Sequence, residues 1–210
     1  MNYRIKKKVV KMNEFETGHV EVVCGPMFSG KSEELMRRLR RVQISGKNFI
    51  LFKPSIDNRY SSEHVVSHDL RKLEAKTIGV SRESLMGLEK FVDETEPFIE
   101  VIAFDEANFL DNYIVSLVQK WRSQGRRVIA AGLDLTFRDE PFGPMPQILA
   151  IADYVDKLKA ICMKCKNHSG TVTQRIVNGR PAKYSDPTIL VGASESYEVR
   201  CRKCHELLRE

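Results

Sequence analysis

One stretch limits the fold of this chain more than any other. Val22 to Leu39 reads VVCGPMFSGKSEELMRRL: a short apolar run, a glycine loop closing on Lys-Ser, then a helical pattern. Gly25-Pro26-Met27-Phe28-Ser29-Gly30-Lys31-Ser32 has the spacing in which backbone amides close around phosphate oxygens at a helix N-terminus. Such a loop needs a strand before it and a helix after it. Lys31 can reach the β and γ phosphates of a nucleotide, and the Ser32 hydroxyl can ligate Mg²⁺.

The chain that follows repeats the strand–helix theme. Residues 19–25, "KNFILFKPS", 75–80, "FIEVIAFDE" and "RRVIAAGLD" read as strands, and 32–45, 81–95 and 111–124 as helices. The apolar run of "FIEVIAFDE" implies burial on both faces. The pattern predicts an α/β fold: a P-loop NTPase-type parallel sheet with helices on both faces. "IDNRYSSEHVVSHD" reads as a polar loop ahead of the 75–80 strand. From about residue 160 helical periodicity fades into short β pieces and turns. A boundary near Leu158 predicts three parts: a flexible basic extension over 1–17, a P-loop α/β domain over 18–158, and a small zinc-ribbon lobe over 159–210.

An NTP site also needs an acidic residue at the end of a buried strand. In "VIAFDEANF", Asp105 follows four apolar residues and can join Ser32 on Mg²⁺. Glu106 comes next, and alternation along a strand would point it away from Asp105. Four of the five cysteines form two Cys-x-x-Cys pairs, Cys162/Cys165 and Cys201/Cys204. Four thiolates close a structural zinc tetrahedron with no position left for chemistry. His205 is a further donor beside Cys204, although four sulfurs suffice. Cys24 lies in an apolar run and reads as a small buried hydrophobe. His19, His64 and His168 read as surface or packing residues.

The net charge of +6 points towards polyanions until its distribution is considered. Residues 1–12 hold five basic and no acidic residues, and the remaining 198 hold 29 basic and 28 acidic. A nearly neutral body lacks the basic balance of a typical nucleic-acid-binding domain. Apolar runs are too short to span a bilayer and no signal-peptide pattern opens the chain, so a cytoplasmic protein is expected.

Taken together, the motifs resemble one family: the type II thymidine kinases, cytosolic zinc-containing enzymes that phosphorylate thymidine with ATP. The likeness runs from about 19 to 205. It is carried by "GPMFSGKSEELMRRLRR", "DNRYSS" with "SHD", "DEANF", "GLDLTFRDEPFG", "ICMKC", "VGASESYEVRC" and "CRKCH" in order. Asn108 stands where the family usually has Gln, and Leu110 where an aromatic often follows Phe109.

The resemblance implies roles. Glu106 matches the general base that takes the proton of the nucleoside 5′-hydroxyl. Asp105 and Ser32 match the Mg²⁺ pair, and Asn108 joins the phosphate-loop residues on the nucleotide side. Met27, Leu133 and Phe137 match apolar pocket residues near thymine, and Thr173 a thymine contact. Thr188, Ile189, Leu190, Val191, Gly192 and Tyr197 match a loop that covers the nucleoside. The implied cofactors are ATP, Mg²⁺ and structural Zn²⁺; thymidine is the implied substrate, with deoxyuridine beside it. A homotetramer and feedback inhibition by dTTP are implied, nucleic acid and membrane are not. The alternative is a zinc-ribbon nucleic-acid-binding ATPase, which needs a basic stripe with interleaved aromatics in the body.

Overall fold

The computed structural model describes residues 18–55, 64–66, 72–95, 98–188 and 195–209. The basic extension and His68-Asp69 fall outside them. In chain order the elements are β1 (Val20–Cys24), α1 (Lys31–Ile44), β2 (Phe49–Pro54), β3 (His64–Val66), β4 (Lys72–Glu74), β5 (Lys76–Ile78), α2 (Arg82–Thr95), β6 (Val101–Phe104), α3 (Tyr113–Ser123), β7 (Arg127–Gly132), α4 (Met145–Ile151) and β8 (Tyr154–Lys157). Five short strands follow: β9 (Ala160–Ile161), β10 (Ser169–Gly170), β11 (Val172–Val177), β12 (Arg180–Pro181) and β13 (Glu195–Arg200).

Six strands form one parallel sheet in the order β5-β2-β6-β7-β1-β8. Its central strands β1, β6 and β7 are apolar apart from Glu21 and Arg127, because both faces are covered. Successive side chains alternate between the faces. On one side Val20, Val22, Cys24, Phe52, Ile102, Phe104 and Val128 form one buried cluster with Leu85, Leu88, Ile114, Leu117 and Ile148 of α2, α3 and α4. Val23, Ala103, Ile129 and Ala131 meet Leu35, Leu39 and Val42 of α1 on the other. Cys24 is fully buried in this sheet, as its apolar setting implied. Trp121 is also fully buried, its ring stacked at 6.0 Å from Phe104, which in turn stacks on Phe52.

Two features depart from the sequence reading. Within the stretch taken as a polar loop, His64–Val66 is a strand paired antiparallel with Lys72–Glu74. Two adjacent β-branched valines favour that pairing over a loop. Elements α4 and β8 were not anticipated either. α4 has only seven residues, and β8 is an exposed edge strand with no apolar run to announce it.

Beyond β8 the architecture changes. β12-β11-β13 form a three-stranded antiparallel sheet, and β9 and β10 a two-stranded one beside it. Among the described residues no helix is long and apolar enough to cross a membrane.

Candidate active site

The site begins where β1 ends. Gly25 has φ 140°, a conformation that side chains rarely adopt, and a Cβ there would meet the Leu158 carbonyl oxygen at 2.5 Å. The loop then folds around one acceptor. The Pro26 carbonyl receives the Ser29 hydroxyl and the Lys31 ammonium, each at 2.8 Å. Lys31 is buried, and desolvation pulls its pKa down against the opposing charges of Glu106, Asp105 and Asp134. α1 starts at Lys31 with Glu33 and Glu34 in its first turn, where acidic side chains suit the helix dipole.

β6 lies two strands from β1, with β7 between them. Past its last residue, Phe104, the Asp105 N–H still donates to the Phe52 carbonyl at 3.0 Å, so Asp105 is held at the C-terminal end of this interior strand. The Ser32 hydroxyl lies 3.1 and 3.3 Å from the two Asp105 carboxylate oxygens. Burial pushes the Asp105 carboxyl up to about 7, the charge of Glu106 adds to that, and Ser32 and Lys31 oppose it.

Glu106 does not simply alternate off the strand. It has φ 51° and ψ 40°, left-handed backbone, and turns the chain into a short 3₁₀ turn over Ala107–Phe109. The chain leaves the strand at Glu106, so strand alternation does not set the relation of Glu106 to Asp105. A non-glycine residue held there is a local cost that recurs at functional sites.

Asn108 is buried, and its Oδ1 accepts from the Leu133 N–H at 2.9 Å. The shorter amide therefore reaches its partner directly and ties the acidic turn to a candidate pocket residue. A Cβ at Gly132 would meet the same Oδ1 at 2.7 Å, which explains the glycine at the end of β7. Leu110 is buried in the helix-covered core.

After Leu133 the chain makes a tight excursion. Leu135 bridges to Pro141, the Thr136 N–H donates to the Glu140 carbonyl at 2.8 Å, and buried Asp134 pairs with Lys157 at 2.7 Å. Phe137 sits on this excursion with 4% of its surface exposed. On the far side, Thr173 of β11 accepts the Met27 N–H on its hydroxyl at 3.0 Å. The structure thus brings the phosphate loop and Thr173 into contact. The Thr188 hydroxyl accepts from Arg138 at 2.7 Å, and Tyr197 is half-buried on β13 opposite Arg175. Ile189, Leu190, Val191 and Gly192 lie outside the described residues.

Sequence reasoning missed two guanidiniums. Arg138 and Arg175 lie 4.9 and 5.3 Å from the Phe137 ring centroid. Arg138 follows an aromatic in a loop, and Arg175 is an inward residue of a strand whose polar composition looks like an exposed one. Neither carries a signal in one sequence.

Cys162, Cys165, Cys201 and Cys204 bring their sulfurs within 4.8 Å of one another. Zinc–sulfur bonds of about 2.3 Å in a tetrahedron require sulfurs roughly 3.8 Å apart, and the Cys165 and Cys201 sulfurs are 3.9 Å apart. The donor set fits zinc. Four thiols so close cannot all ionise unaided. The Asn167 backbone N–H and His168 hold Cys165 down to about 5, whereas burial and the neighbouring thiols push Cys204 up to about 12. His205 is turned away from a ligand role: its Nε2 lies 2.8 Å from the Phe137 carbonyl oxygen.

A parallel sheet with a phosphate loop after its first strand, and a carboxylate facing that loop from a nearby strand end, defines an α/β protein of P-loop type. The family model for thymidine kinase matches residues 18–205, and the chain belongs to the thymidine kinase family. That membership supports a kinase.

Proposed function

We propose that this protein transfers the γ-phosphate of ATP to the 5′-hydroxyl of thymidine, giving dTMP and ADP, with deoxyuridine as a second substrate. The observation that carries this is the convergence of Lys31, Ser32, Asp105 and Glu106 at the ends of β1 and β6, sealed by the 3.1 Å contact between Ser32 and Asp105.

Phosphoryl transfer demands positioning and charge neutralisation more than covalent help. Amides of Gly25 to Ser32 would cradle the phosphates, and Lys31 would leave the Pro26 carbonyl for a phosphate oxygen. Ser32 and Asp105 would hold Mg²⁺, which when bound neutralises charge on the β and γ phosphates. Asp105 has the burial that makes a carboxylate favour a cation. Glu106, set apart by its left-handed backbone, would accept the proton of the attacking hydroxyl, which is a poor nucleophile until a base takes it. Asn108 would link this turn to the thymine side through Leu133. Met27, Leu133 and Phe137 would form the apolar wall, with Thr173, Thr188 to Gly192 and Tyr197 supplying polar contacts and cover.

The four cysteines would hold a structural Zn²⁺ in the 159–210 lobe, beside an 18–158 kinase domain and a dispensable 1–17 extension. A cytoplasmic homotetramer subject to dTTP inhibition belongs to the same reading. The deciding experiment is product analysis with ATP and a panel of deoxynucleosides. Thymidine and deoxyuridine are expected to give monophosphates while the other nucleosides do not. ATP hydrolysis stimulated by DNA, without a nucleotide product, would overturn the proposal.

A further inference from the structure

We propose that Arg138 is a positioning residue of the nucleoside pocket, fixing the Phe137 ring and the 184–188 turn in one arrangement. This rests on the thymidine kinase reading above, in which Phe137 forms part of the thymine wall. Arg138 uses every arm of its fork. Nε donates to the Tyr184 carbonyl at 2.7 Å, Nη1 to the Thr188 hydroxyl at 2.7 Å, and Nη2 to the Asp186 carbonyl at 2.5 Å. The same guanidinium lies 4.9 Å from the Phe137 ring and 5.2 Å from the Tyr184 ring.

Among the described residues these hydrogen bonds go to neutral oxygens and not to a carboxylate. The side chain therefore supplies a rigid planar template more than a charge partner. Arg175 adds a second grip from β11. It is buried, lies 5.3 Å from the same ring and donates through Nη1 to the Pro187 carbonyl. The Tyr184 hydroxyl closes the circuit on Glu140 at 2.6 Å. The excursion that carries Phe137 and the turn that ends at Thr188 are thus one unit, organised by a residue absent from the phosphate loop and the acidic turn. Loosening it should disturb where the base lies and leave the phosphates in place.

Steady-state kinetics of the full chain carrying Arg138→Lys test this. Lysine keeps the charge but cannot reach three acceptors at fixed angles. The thymidine KM is expected to rise about tenfold, with the ATP KM and kcat within about threefold of wild type. Thr188→Val, which removes one acceptor, is expected to raise the thymidine KM less, and to add nothing on top of Arg138→Lys. A thymidine KM within about twofold of wild type in Arg138→Lys would overturn the proposal. So would a uniform loss of both affinities, kcat and melting temperature, or additive effects in the double variant. If Arg138→Lys does not fold, an unchanged thymidine KM in Thr188→Val overturns it. A wild-type protein that makes no nucleoside monophosphate is a separate result: it removes the kinase reading itself, and this inference with it.

Discussion

The six-stranded sheet and the cysteine-bearing sheet are held together by different physics. In β1, β6 and β7 almost every side chain is apolar and buried, and two helical layers cover them. In β11 the fully buried residues include Thr173, Gln174 and Arg175. The Gln174 amide pairs with both backbone groups of Glu206, at 2.8 and 2.9 Å, and Arg175 is spent on Pro187 and Phe137. A core of Val172, Val199 and Ala182 is too small to hold a lobe by apolar burial alone. The first region gains stability from area removed from water, whereas the second depends on each polar partner and on the four thiols. Function follows the same division: the rigid sheet presents the phosphate loop, and the partner-dependent lobe reaches across to Met27 and Phe137.

The contrast breaks most visibly at the cysteines. Cys162→Ser/Cys165→Ser is expected to lose zinc and essentially all nucleoside turnover. The main sheet should survive, and Trp121, the only tryptophan, reports on it directly. Fluorescence melting of Trp121 within a few degrees of wild type, beside absent turnover, is the expected pair of results. Full activity in this variant would show that the lobe does not rely on its thiolates.

The converse variant is Leu39→Ala, which opens a cavity under α1 where Leu39 is fully buried. It should cost about 2–5 kcal/mol in the Trp121 transition and leave zinc content stoichiometric. An unchanged transition would mean that apolar packing does not dominate this region.

A smaller effect sharpens the picture near the start of β1, where buried Glu21 is an exception to the apolar rule. Burial alone would raise its pKa, but hydrogen bonds from His19 and Arg127 and the charges of Arg127 and Arg38 outweigh it and hold it at about 2. A carboxylate held below its ordinary 4.5 adds stability that is present above that value and fades as pH falls towards 2. Glu21→Gln should therefore be less stable than wild type by roughly 2–3 kcal/mol at pH 6, with the gap closing between pH 4.5 and 2. Urea melts of both proteins across that range measure it, and a gap that stays constant would contradict the assignment.

The sheet was legible because its signals are local. The phosphate loop, four apolar residues before Asp105, and apolar runs of strand length are each visible within ten residues. Paired Cys-x-x-Cys motifs were legible for the same reason, since their spacing alone implies a common ligand. Polar strands and distant contacts were not. Thr173 meeting Met27 spans 146 residues, and Arg138 reaching Thr188 spans 50. The left-handed turn at Glu106 left no mark either, because no glycine advertises it. β8 lacked an apolar run because it is an exposed edge, so alternation had nothing to act on.

The division of labour between scaffold and chemistry meets at Glu106, and replacing it with Gln is the most direct measurement. Gln keeps the size and the hydrogen-bonding shape but cannot accept the 5′-hydroxyl proton. Turnover is expected to fall by roughly 10²–10⁴-fold. Thymidine and ATP should bind with near wild-type affinity and the melting temperature should hold, because Lys31, Ser32 and Asp105 keep their contacts. Turnover within a few-fold of wild type would contradict Glu106 as the base.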